Sequence, residues 1–158
     1  HLGVDKFFVM GFCIGNPLIW NLQKLAPGRI VASVHAQPSG VDPKLPDFFI
    51  KNNLKIWAPG LVASQPNITM DMVNRYLDKM YKGVDFVLTV SRDFVRNHQT
   101  PMLVLPDNTD AHPYATAMEM THLAPKAEVS LFPWKDKPEH VKLAVRHIRT
   151  FLKANRPA

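Results

Sequence analysis

The pentapeptide Gly11-Phe12-Cys13-Ile14-Gly15 constrains the fold of this chain more than any other segment. It holds the only cysteine of the 158 residues, and a glycine stands on each side of it. A short apolar run (7–10) precedes it, and a stretch with helical character (16–26) follows it. Glycines at both positions let a strand and a helix approach closely around a strained turn. We therefore predict a strand, a sharp turn at Cys13 and then a helix. The alternative is a buried, inert cysteine at the end of a strand.

Short apolar runs and amphipathic stretches alternate along most of the chain. The runs predict strands at 6–10, 30–36, 101–106 and 128–132, and the amphipathic stretches predict helices at 17–26, 113–123 and 138–154. The run at 30–36 is almost continuously apolar, as is typical of a strand buried on both faces of a parallel sheet. The alternation predicts an α/β fold, with a parallel sheet of about four strands and helices packed on it.

Residues 40–99 differ from this pattern, because prolines separate patchy amphipathic segments and no strand signal is convincing. We predict a mostly helical insertion. Thr69 is a candidate N-cap for a helix that stops near Gly83. The spacing of Phe86, Val90 and Phe94 predicts a further helix.

Composition and charge exclude several classes of function. The net charge of +6 is modest, and the basic residues of the last helix lack the interleaved aromatic residues of a nucleic-acid-binding surface. No apolar run is long enough to span a membrane, and the chain shows no secretory signal pattern. One cysteine cannot form an internal disulfide, which favours a cytoplasmic location. We expect no nucleic acid, membrane, metal or cofactor partner, since no metal-ligand pattern is present.

The order of these parts resembles the C-terminal half of an α/β hydrolase. The elbow after a strand, the helical cap after the next strand, the strand ending in Asp-Asn-Thr-Asp (107–110) and the closing amphipathic helix all match. A cysteine in the elbow is similar to that of dienelactone hydrolases and polyhydroxyalkanoate synthases. The resemblance implies a partial hydrolase core at 1–38 and 100–158, with a helical cap at 39–99.

The resemblance also implies a nucleophile, an acid and a histidine in that chain order. Cys13 takes the nucleophile position and Asp110 the acid position, while the backbone N–H of Ile14 is the first oxyanion donor. The loop at 133–137, where family members carry the histidine, has none. His140 is the first candidate base and His112 the alternative. The possibility that no residue of this chain acts as the base also stays open, since a thiol is intrinsically nucleophilic.

The resemblance implies about eight strands, of which this chain would begin at the strand that enters the elbow. His1-Leu2-Gly3 looks like the end of a preceding helix. Four sequential parallel strands place their three connections on one face of the sheet, so only the last helix is free to cover the other face. The strand at 6–10 would then be an unpaired edge. We therefore expect it to pair with a missing N-terminal segment, a second chain or another copy of this chain.

Three functions fit these features. The first is a hydrolase of an ester, thioester or lactone, in which Cys13 attacks the acyl carbon of a small-molecule substrate. The second is a catalytically degenerate hydrolase fold that serves as a binding or assembly subunit. The third is acyl transfer through an acyl-cysteine. Four aromatic residues of the cap favour an apolar acyl group, although they could equally pack within the cap: Phe48, Phe49, Trp57 and Tyr76.

Overall fold

A computed structural model describes residues 3–157 and contains a four-stranded sheet in the order β1-β2-β3-β4. The strands are β1 (Phe7–Cys13), β2 (Ile30–Pro38), β3 (Met102–Leu105) and β4 (Ala127–Val129). Every pairing is parallel, as the alternation of strands and helices predicts. The fold class is therefore confirmed. The prediction that His1-Leu2-Gly3 ends a helix lies partly outside the described residues.

Seven α-helices and one π-helical turn surround or extend the sheet within residues 3–157. They are α1 (Gly15–Leu25), α2 (Phe48–Asn52), the π-helical turn (Asn53–Trp57), α3 (Ala58–Ser64), α4 (Met70–Tyr81), α5 (Arg92–Asn97), α6 (Tyr114–Leu123) and α7 (Pro138–Ala154). The bounds of α7 are those expected from its apolar stripe. The Thr69 hydroxyl accepts a hydrogen bond from the N–H of Met72, so the predicted N-cap of α4 is confirmed.

Two apolar clusters cover the two faces of the sheet. Met102 and Val104 of β3 pack with Trp20 of α1 and with α6. The alternate residues of β3, Leu103 and Leu105, pack with β2 and with α7. Since successive side chains of a strand point to opposite faces, α1 and α6 share one face and α7 lies on the other. This is the arrangement predicted for sequential parallel strands.

The insertion is helical over much of its length. Ala58, Val73 and Leu77 form a small apolar cluster of their own, separate from the two clusters on the sheet. The division of the chain into a core and a cap at 39–99 stays a prediction.

Two predictions about local structure are wrong in part. Residues 84–91 are not helical, because Leu88 adopts a positive φ of 72° and the Ser91 hydroxyl caps a helix that begins only at Arg92. Phe86 and Val90 belong to this irregular segment, and both are apolar because their side chains are buried in the core. Their helical spacing does not reflect a helix. The last strand ends at Val129 rather than at residue 132, although the N–H of Ser130 still bonds to the carbonyl of Val104.

β1 is an edge of the sheet among the residues described here, since it pairs with β2 alone. Its side chains Met10 and Phe12 are 42% and 51% exposed. Leu18 and Leu25 on the neighbouring helix α1 are exposed as well. A half-exposed edge strand with apolar side chains is a surface that pairs readily with another strand.

Candidate active site at the carboxyl ends of the strands

Cys13 is the last residue of β1 and has a φ of 51°. Ile14 follows as the N-cap of α1, which begins at Gly15. A side-chain-bearing residue other than Asn or Asp seldom adopts positive φ, and such strain clusters at functional sites. The chain therefore forms the predicted strand–turn–helix elbow with Cys13 at its apex.

Only one of the two flanking glycines is sterically required. A Cβ on Gly11 would lie 2.8 Å from the carbonyl carbon and oxygen of Gly15 and 2.9 Å from Cδ1 of Ile19. A Cβ on Gly15 would meet nothing within 4 Å. The prediction of a steric role is confirmed at Gly11 and wrong at Gly15. At Gly11 the backbone of the strand therefore lies against the first turn of the helix.

Asn16 fixes the elbow to the sheet. Its side chain is fully buried, and Nδ2 donates to the carbonyls of Cys13 and Ala36, each at 3.0 Å. These bonds join the turn to the neighbouring strand β2. Sequence analysis missed Asn16, because a single asparagine in a helical stretch carries no signal of such a role.

The thiol of Cys13 is half-buried, and the hydroxyl of Ser39 donates a hydrogen bond to it over 3.4 Å. Ser39 follows β2 directly and is only 1% exposed. The first turn of α1 lies next to Cys13 in the chain, so the N-terminal end of the helix is adjacent to the sulfur-bearing residue. Ser39 is a second residue that sequence analysis did not single out.

A carboxylate–imidazole pair lies at the same end of the sheet, beyond the end of β3. Nδ1 of His112 is 3.2 Å from Oδ2 of Asp107 and 3.0 Å from Oγ1 of Thr109. Both partners are nearly buried, with side chains 13% and 10% exposed for His112 and Asp107. Nε2 of His112 is buried and has no hydrogen-bond partner among residues 3–157.

Electrostatics keep this pair in complementary forms. Burial raises the pKa of Asp107, but the hydrogen bond from Lys135 (2.7 Å) and the backbone N–H of Asn108 outweigh it, and the pKa is lowered. Burial, together with the charge of Lys135, lowers the pKa of His112 although Asp107 opposes this change. Asp107 is therefore ionised and His112 neutral near pH 7.

The structure does not bring the predicted acid and the first candidate base together. Asp110 is exposed, and its carboxylate makes no ion pair or side-chain hydrogen bond within the described part of the chain. His140 lies in the first turn of α7, where its Nδ1 is 2.6 Å from Oδ1 of Asp136. The roles of Asp110, His140 and Ile14 stay predictions.

Two aromatic side chains of the helical insertion stack on each other. Tyr81, the last residue of α4, stacks on Phe49 with ring centroids 5.1 Å apart. Burial raises the pKa of Tyr81, and Tyr76 and Cys13 raise it further. A cavity of about 530 Å³ lies elsewhere, at the opposite end of the sheet beside the start of β2, with Gln23, Ile30 and His98 in its lining.

Within residues 3–157 no group of three His, Cys, Asp or Glu side chains lies close enough to hold a metal ion. No helix in the same range is both long and apolar enough to cross a membrane.

Comparisons with solved structures identify the fold. The chain superposes on a meta-cleavage product hydrolase from Pseudomonas fluorescens with a TM-score of 0.62, at 13% identity over 98% of this chain and 67% of that one. An esterase from a Rhodococcus species superposes with a TM-score of 0.58, at 16% identity over 98% of this chain and 68% of that one. An alpha/beta hydrolase from Sphaerobacter thermophilus superposes with a TM-score of 0.54, at 18% identity over 94% of this chain and 68% of that one. No model of a known protein family matches the sequence, and a search of curated proteins finds no match either.

This chain has an α/β-hydrolase fold, in part. It spans about two thirds of the proteins that it matches, from 64% to 70% of their length. Identities below 20% show the shared fold and leave the reaction to be argued from the site itself.

Proposed function

We propose that this protein is a hydrolase of the α/β-hydrolase type that acts on an ester, thioester or lactone through Cys13. The observation that carries the proposal is the strained φ of 51° at the only cysteine, at the apex of a strand–turn–helix elbow. A structural cysteine needs neither this backbone conformation nor a buried hydroxyl directed at its sulfur. A nucleophile that must project from the edge of a sheet needs the strained turn.

The reaction has two steps. The Cys13 thiolate attacks the acyl carbon, and the backbone N–H of Ile14 stabilises the oxyanion that forms. The C–O or C–S bond to the leaving group breaks, the leaving group takes up a proton and a thioester remains on Cys13. A water molecule then adds to the thioester and releases the carboxylic acid and the free thiol.

We assign the proton transfers to His112, with Asp107 as the residue that orients it. A proton on Nδ1 of His112 bonds to Asp107 or Thr109 and leaves Nε2 free to accept a proton. β1 and β3 are two strand spacings apart, about 9.6 Å. This role therefore requires that a bound substrate or a water molecule carry the proton between Cys13 and His112, and that the buried Nε2 become accessible when substrate binds.

This assignment competes with His140 and Asp110. His140 already pairs with Asp136 at the start of the helix on the other face of the sheet, and Asp110 faces solvent. The near-burial of the Asp107–His112 pair favours His112, because a dry environment strengthens the interaction that orients the imidazole.

The stacked pair Phe49 and Tyr81 supports an apolar acyl group as the substrate. Trp57 and Tyr76 form a second aromatic pair in the insertion, with ring centroids 6.1 Å apart. Such a surface binds an alkyl or aryl chain by burial of apolar area.

The test is turnover of short-chain p-nitrophenyl esters by four variants. We expect Cys13→Ala to abolish turnover, and His112→Gln and Asp107→Asn to reduce it by roughly a hundredfold or more. His140→Gln is the matched control, since it removes an imidazole that also pairs with a carboxylate, that of Asp136, and it should leave turnover unchanged. Loss in His140→Gln with normal turnover in His112→Gln would return the base to the sequence-based assignment.

The exposed edge of β1 favours a second candidate, a hydrolase fold that works as an assembly subunit. Under this proposal β1 pairs with a strand from a second chain, a missing N-terminal segment or another copy. Sedimentation of the purified chain and of Phe12→Lys tests the last form. A concentration-dependent dimer that Phe12→Lys dissociates supports pairing between copies, and a monomer at all concentrations refutes it.

A further inference from the structure

Ser39 is the one buried hydroxyl directed at the nucleophile. Its Oγ donates to Sγ of Cys13 over 3.4 Å, and the residue is 1% exposed. Water therefore does not compete for this hydroxyl, and no other side chain bonds to Sγ within residues 3–157.

An irregularity in the sheet sets the position of Ser39. Phe12 pairs with Ala36, but Cys13 pairs with Pro38, so Gln37 is an extra residue in β2. Gln37 has a φ of 40°, in the left-handed region. Bulges of this kind recur beside active sites, where they change the direction of a side chain. The contact between the Ser39 hydroxyl and the sulfur therefore lies beside two residues with positive φ on adjacent strands, Cys13 and Gln37.

The segment after Ser39 is fixed on its other side. A Cβ on Gly40 would lie 2.3 Å from Cγ2 of Thr116 and 2.5 Å from the carbonyl oxygen of Phe86. The N–H of Val41 donates to that same carbonyl at 2.9 Å. The backbone next to Ser39 is therefore fixed, which limits where its Oγ can lie relative to the sulfur.

We propose that Ser39 is a positioning residue that holds Sγ of Cys13 in its attacking orientation and stabilises its negative charge. This inference rests on the proposed role of Cys13 as nucleophile. A hydroxyl that donates to an ionised acceptor makes a stronger hydrogen bond than one between neutral groups. With the base two strands away, this bond is the one side-chain hydrogen bond to the sulfur within residues 3–157 before substrate binds.

The test follows the alkylation of Cys13 by iodoacetamide between pH 5 and 10, since only the thiolate reacts. We expect Ser39→Ala to move the pH of half-maximal rate upward by about one unit or more, a roughly tenfold slower reaction at neutral pH. Ser130→Ala is the matched control, because Ser130 is also a buried serine (5% exposed) but lies after β4. It should follow the wild-type profile.

Ser39→Gly is the second hydroxyl-free variant, and neither substitution adds an atom to the packed segment. An unchanged pH profile in whichever of the two variants folds overturns the assignment. A shifted profile in a protein that hydrolyses no ester supports the role of Ser39 and refutes the proposed hydrolase. A shifted profile together with reduced kcat and unchanged KM supports both.

Discussion

Gly11 is the position at which a single methyl group should damage the elbow most. In Gly11→Ala the new Cβ would lie 2.8 Å from two backbone atoms of Gly15 and 2.9 Å from Cδ1 of Ile19. The Ile19 side chain can rotate, but the backbone of Gly15 opens α1 and cannot move without displacing the helix. Overpacking of this kind costs about 1–3 kcal/mol of unfolding free energy. We expect that loss, together with slower alkylation of Cys13, because the displaced turn no longer holds the sulfur near Ser39.

Gly15→Ala is the control within the same pentapeptide. A Cβ there meets nothing within 4 Å, and alanine is a better helix former than glycine. Its unfolding free energy should therefore equal or exceed that of the wild type. Urea unfolding of the two variants, with alkylation rates measured in parallel, makes the comparison. Equal stability of Gly11→Ala and wild type, or an equal loss in both variants, would refute the proposed close approach of strand and helix.

Three further measurements test other parts of the structure. Burial, followed by the nearby His98, lowers the pKa of His35 from 6.5 to about 3, so between those values the unfolded chain binds a proton that the folded chain excludes. The contribution of His35 to stability should be complete above pH 6.5 and fall below it by about 1.4 kcal/mol per pH unit. In urea unfolding at pH 7 and 5, His35→Gln should weaken the pH dependence by this amount, and His98 and His112, whose pKa values are also lowered, contribute to the dependence that remains. The same slope in the variant and the wild type would contradict this prediction. Thr69→Ala should lower the unfolding free energy by about 1 kcal/mol, because the N-cap of α4 is lost. Thermal denaturation measures the change, and an unchanged midpoint would contradict the prediction. Because His112 acts when neutral and its pKa is lowered, hydrolysis of the thioester on Cys13, a step in which the thiol no longer titrates, should keep a constant rate down to about pH 6.5 and slow only below that value. A thioester hydrolysis rate that already falls above pH 7 would exclude His112 as the base.

The sequence allows the architecture to be predicted because local patterns determine it. The apolar stripe of α7 predicts its bounds from Pro138 to Ala154, and the continuous apolar run of β2 predicts a central strand. Residues 84–91 show where such patterns fail. Phe86 and Val90 have helical spacing, but tertiary burial rather than a helix accounts for them.

The candidate site is less accessible to sequence reasoning, because its hydrogen bonds join residues that are far apart in the chain. Cys13 could be identified from its two glycines. Ser39 is 26 positions away, and only the register of β2 against β1 shows that it reaches the sulfur. The pairing of Asp107 with His112 depends on the turn after β3, so the motif position favoured Asp110 although the buried carboxylate is Asp107.

Mass spectrometry of an acyl-enzyme tests the central claim most directly. The protein is mixed with a p-nitrophenyl ester, quenched in acid within seconds and digested, and the peptide that contains Cys13 is weighed. The proposed mechanism predicts an added acyl group on Cys13, a burst of p-nitrophenol of about one equivalent and the loss of both in Cys13→Ala. An unmodified Cys13 peptide, with turnover that persists in Cys13→Ala, would contradict it.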